Sequence, residues 1–178
     1  MMTRDHLLGN ARIALTPLFA AYEDWRERGV QWRQQMAIGI KGSPAMDEMF
    51  NTMQHVGMFA IAACIALLAD NVSRTYVRER VKAKEPNRVN FGREIVAGPF
   101  GKVLWAAGNA ARHYDGTPLN DWNEQVLGAF NITARDEQAA FLLLEAVGIR
   151  TEDDLIRDLN IVLDGMDQAI QAAQPPGP

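Results

Sequence analysis

The sequence predicts an all-α protein, a bundle of about five to seven helices with one long central helix. Apolar residues recur at helical spacing through most of the chain. No segment alternates apolar and polar residues between turn signals in the way a strand would. Turn and capping signals such as Ser43-Pro44, Gly98-Pro99, Asp115-Gly116-Thr117-Pro118 and Gly148 punctuate the periodic stretches. No repeat of 20–50 residues is present. The chain has 178 residues, the size of one domain, read as residues 1–173 with a flexible tail over 174–178.

The first element runs from about Thr3 to Arg28. Leu7, Leu8, Ala11, Leu15, Leu18, Tyr22 and Trp25 share a face, Pro17 can kink it, and Gly29 is a plausible stop. A short helical piece over Val30–Ile40 follows. Ser43 and Pro44 form a start signal, with Asp47 and Glu48 where the helix dipole favours acids. The long helix then continues to about Lys84, with a bend expected near Asp70 and Asn71. Residues 85–100 hold Pro86, Gly92, Gly98 and Pro99 and read as a connection. Further helices are expected over about Phe100–Tyr114, Asp121–Phe130, from Thr133 to Gly148, and from a capping box at Thr151 and Asp154 to about Ala173.

Composition excludes several classes. Hydrophobic residues make up 48% and charged residues 22%, which supports a buried core and argues against disorder. One cysteine, Cys64, allows no intramolecular disulfide and no cysteine-rich zinc site; inside the run VGMFAIAACIALLA it reads as an inert core residue. That run, Val56 to Ala69, is shorter than a bilayer span needs and reads as a core helix rather than a membrane segment. Asp5, His6, Asn10 and Arg12 interrupt any secretory signal, so a cytoplasmic location is expected. The net charge of -4 argues against coating nucleic acid by bulk charge.

Among chemistry-bearing patterns, phosphate-binding glycine loops and paired metal-ligand motifs are missing, so neither a cofactor nor a metal is expected. The group that stands out is GNAARHYD over 108–115, preceded by Trp105. Asn109, Arg112 and His113 lie at i, i+3 and i+4 and share one helix face. His113 can move a proton near neutral pH, Arg112 can stabilise charge on a phosphoryl group, and Asn109 can orient either. A helix C-terminus favours Arg and His in its last turn for dipole reasons alone, and that reading stands beside the catalytic one.

The run GNAARHYD resembles the Arg-Asn-x-x-x-His motif of the HEPN superfamily. Asn109 and His113 fall on the motif's Asn and His, Gly108 stands where the motif has Arg, and Arg112 is the basic residue next to His113. The resemblance covers about ten residues. It implies a metal-independent ribonuclease in a toxin or defence setting, with a site completed across a dimer of motif helices, or an inactive relative of such enzymes. Arg74, Arg78 and Lys82 recur every fourth residue as a basic stripe able to hold an RNA backbone, with Arg80, Lys84, Arg88 and Arg93 adding local charge. A solvated helix face explains the same spacing. The rival function is a non-enzymatic helical interaction or oligomeric protein, such as a subunit of a defence or phage-related assembly. Its contacts would come from Trp25, Trp32 and the methionines Met46, Met49, Met53 and Met58. A small-molecule pocket near Trp105 and His113 is a third possibility.

Overall fold

The computed structural model describes residues 3–37, 44–80, 88–113, 118–133 and 138–173. They form six helices: α1 (Arg4–Ala37), α2 (Pro44–Arg80), α3 (Phe100–Arg112), α4 (Asp121–Gly128), α5 (Ala139–Ala146) and α6 (Glu152–Ala172). The all-α class stands. Ser43, Lys82 and the tail over 174–178 lie outside the described residues, as do the side chains of Met46, Met49, Met53, His55 and Arg80.

α2 is the central element and touches α1, α3, α5 and α6. Its inward face carries Ala62, Ile65, Ala66, Ala69, Val72, Tyr76 and Val77. Leu15 and Tyr22 of α1, Leu104 and Ala107 of α3, Leu143 of α5, and Leu155, Leu159 and Leu163 of α6 complete the core. Each large apolar side chain buried there contributes about 1.5–3 kcal/mol relative to exposure. Tyr22 lies edge-on to Phe19 and donates its hydroxyl to Glu145 at 2.7 Å, so its polar tip stays bonded inside the bundle. Burial, reinforced by Glu145, pushes the Tyr22 phenol well above its ordinary pKa.

The first helix departs from expectation. α1 is one helix of 34 residues that passes through both Pro17 and Gly29. Pro17 and Ile13, whose carbonyl loses its helical donor, both lie on the exposed side, so the carbonyl left without its amide is not buried in the core. Gly29 is buried within the helix instead of ending it. α2 is one helix of 37 residues, continuous through Asp70 and Asn71. Thr151 and Asp154 form the expected capping box of α6, with the Thr151 hydroxyl accepting from the Asp154 amide at 3.2 Å.

Two further expectations are corrected. The apolar stretch extends beyond Ala69: Val56–Arg78 is long and apolar enough to cross a membrane by length and composition alone, with mean hydropathy 1.8. In this bundle one side of it forms the core, and its one acid, Asp70, is paired within the protein. The outward side carries Val56, Ala60 and Cys64 at four-residue spacing, so Cys64 is exposed rather than a core residue. The run is apolar around more of its circumference than the neighbouring helices cover.

Between α2 and α3 the chain makes a short 3-10 helix (Arg88–Asn90) and a two-residue antiparallel ribbon, β1 (Glu94–Ile95) with β2 (Gly98–Pro99). Gly101, in the first turn of α3, locks this connection. Its amide donates to the Phe91 carbonyl at 2.9 Å, and any Cβ there would collide with the Arg88 carbonyl and lie 2.8 Å from that of Phe91. The backbone of the connection thus rests directly on α3. Gly101→Ala is expected to lower stability by about 1–3 kcal/mol through overpacking against these carbonyls. A urea melt followed by circular dichroism checks it, and an unchanged midpoint would disprove the close contact.

Candidate functional site

The candidate face lies on α3. Its last helical residue is Arg112, and His113 follows as the C-cap, its amide donating to the carbonyls of Asn109 at 3.0 Å and Ala110 at 3.3 Å. The strongly one-sided pattern of α3 buries Val103, Leu104, Ala106, Ala107, Ala110 and Ala111 against the bundle. Asn109, Arg112 and His113 fall at its half-buried margin.

The three residues do not form one constellation. Arg112 donates through Nη1 to Asn109 Oδ1 at 2.7 Å and through Nη2 to Asp70 Oδ2 on α2. The Asn109 amide nitrogen faces the Asn123 side chain at 3.3 Å, and Asn123 donates to Asn120, the N-cap of α4, at 2.9 Å. The amide and the guanidinium therefore bond to each other and to structural neighbours. The His113 imidazole forms no hydrogen bond among the described residues. Trp105 stacks edge-on with Trp122 at 4.5 Å between centroids, and Lys102 sits 4.9 Å over the Trp122 ring.

Asp70 is the residue that the sequence pattern did not reveal as part of this site. Its side chain is 0% exposed and takes three arginines: Arg74 at 3.0 Å, Arg88, and Arg112. A buried carboxylate needs partners of this kind, since desolvation without them costs several kcal/mol. Arg88 also donates to the Ser73 hydroxyl at 2.7 Å, and that hydroxyl donates to the Asp70 carbonyl at 2.8 Å. Burial lowers the Arg88 pKa; Asp70 opposes the shift, and the neighbouring charges of Arg74 and Arg112 add to it.

Gly108 explains how α3 comes so close. A Cβ at this position would stand 2.8 Å from the Asp70 Cβ and 3.0 Å from its carboxyl carbon. The position at which the HEPN motif places Arg is thus the point where α3 passes over the buried acid. The signal available in the sequence was a lone acid ending a long apolar run, which on its own also fits a helix bend.

The basic stripe divides in the same way. Arg74 is half-buried and turned toward Asp70, Arg78 is exposed, and Lys82 lies outside the described residues. Arg88 and Arg93 do not extend a surface patch. Arg88 joins Asp70, and Arg93 donates to Asp158 at 2.7 Å and lies over the Phe100 ring. Asp158 of α6 is 0% exposed and is neutralised there by Arg93 and Arg157. Trp25, expected as a contact residue for partners, rests on Gly57 of α2, where a Cβ would come within 2.8 Å of the indole.

Asp70→Ala is expected to cost about 3–5 kcal/mol, because it strands several guanidiniums around an apolar site. Arg112→Ala is expected to cost less, about 1–3 kcal/mol, since Arg74 and Arg88 still neutralise Asp70. Chemical denaturation of both variants measures the ranking, and the reverse order would remove Asp70 as the anchor. In comparisons with protein-family models, with curated proteins and with solved structures, the chain has no match.

Proposed function

We propose that this chain is a non-cleaving helical interaction protein, a degenerate relative of the HEPN type rather than an active ribonuclease. One observation carries the reading. Gly108 replaces the motif arginine at the point where α3 meets Asp70, and Asp70 takes the guanidinium of Arg112. A motif arginine has no room there, and Arg112 is already held through Nη1 by Asn109 and through Nη2 by Asp70, which leaves Nε as its one nitrogen without an acceptor among the described residues. Asn109 is committed to Arg112 and Asn123 instead of orienting the imidazole. The protein would then act by binding a second copy or a protein partner, in a cytoplasmic defence or phage-related assembly.

The ribonuclease reading retains one observation in its favour. His113 is half-buried rather than sealed, and its imidazole has no hydrogen bond among the described residues. A dimer of α3 helices could bring two such imidazoles together, with RNA held by Arg74, Arg78 and Lys82.

Incubation of the purified protein with single-stranded RNA in EDTA separates the two. The expected result is intact RNA with the wild type, with His113→Ala and with Arg112→Ala. Cleavage by the wild type that falls about 10²–10⁴-fold in His113→Ala, the usual worth of a general acid or base, would overturn the non-cleaving proposal.

A further inference from the structure

The arginine cluster on Asp70 is unbalanced. Three guanidiniums meet one carboxylate, which leaves two positive charges without a paired acid among the described residues. Arg74 Nε and Arg112 Nη2 bond the same oxygen, Asp70 Oδ2, so the two guanidiniums are held side by side from different helices. Each keeps donors to spare: the terminal nitrogens of Arg74 and the Nε of Arg112 have no acceptor among the described residues. Both also reach solvent, with 41% of the Arg74 side chain and 28% of the Arg112 side chain exposed. Arg88, only 14% exposed, closes the inner side of the cluster.

We infer that Arg74 and Arg112, backed by Arg88, form a binding site for a phosphate group. Fixed guanidinium forks suit the bidentate geometry of phosphoryl oxygens, and Asp70 pre-orients them so that little side-chain freedom remains to be lost on binding. The charge matches as well. A phosphate monoester carries about -1.5 to -2 at neutral pH, close to the surplus of the cluster. A carboxylate would neutralise only half of it. Arg78, exposed one turn further along α2, adds positive potential at the entrance. The site requires no cleavage chemistry and is independent of whether the motif face is active.

Calorimetric titration of the intact protein with inorganic phosphate, against sodium chloride at matched ionic strength, tests the site. Saturable binding of phosphate is expected. In Arg74→Gln the affinity should fall about tenfold or more, as for loss of a charge-assisted hydrogen bond. Arg74 is the chosen position because Asp70 keeps two arginines without it, and circular dichroism verifies that the variant is folded. Arg74→Lys keeps the charge but not the fork and should bind with intermediate affinity. A parallel titration with a nucleoside 5′-monophosphate identifies the source. Tighter binding than inorganic phosphate marks a phosphate ester as the ligand, and weaker binding marks the free ion. Phosphate indistinguishable from chloride, or unchanged affinity in folded Arg74→Gln, would overturn the site.

Discussion

The carboxylate of Asp70 sits in the C-terminal half of α2, the longest of the described helices, with no access to water. A charge in that position is tolerable only when cations surround it and its oxygens are bonded. Meeting this need brings together Arg74 from α2, Arg88 from the connection and Arg112 from the end of α3. Gly108 provides the close approach between α2 and α3, and Gly101 sets the connection down on α3 so that Arg88 can reach inward. One buried acid thereby fixes the relative position of three successive parts of the chain.

A second acid plays a related part on α6. Asp158 of α6 is fully buried and holds Arg93, which also reaches the Val147 carbonyl at the end of α5. The connection leading into α3 is therefore held inward at two points, Arg88 and Arg93. The pairs that join α1 to α6 differ in kind. Arg4 with Asp164, and Arg12 with Glu152 and Asp153, lie nearer solvent, and such exposed pairs contribute little, about 0–1 kcal/mol each. They set the register of two helices whose association rests on apolar burial. Arg4, by its hydrogen bond, holds the Asp164 carboxyl below its usual range, so that small contribution is present at neutral pH and disappears as acid protonates the group.

The same cluster links structure to possible function. Residues recruited to neutralise a buried acid are removed from the pool available for catalysis, as Arg112 and Asn109 illustrate. Yet recruiting three cations for one anion leaves an ordered, partly exposed positive surface. Fixed guanidiniums at a solvent margin are better suited to holding an anion than to moving protons. This is why the structural account of α3 and the phosphate proposal arise from the same atoms.

Local physics was legible in the sequence. Helical periodicity gave the fold class and the long central helix, Pro44 gave the start of α2, and Thr151 with Asp154 gave the cap of α6. These depend on contacts within a few residues, which the chain order contains directly. Asn109, Arg112 and His113 were correctly placed at the end of one helix, but their bonds were not readable. The partner of Arg112 is 42 residues away, and periodicity says nothing about which helix a side chain faces. Cys64 and Asp158 show the same limit from both directions, one apolar-context residue left outside and one acid drawn inside. The sequence by itself determined the helices and their apolar faces, because those follow from local spacing. Only the tertiary structure decided which charges are buried together, because the energy of a buried charge depends on neighbours that distant segments supply.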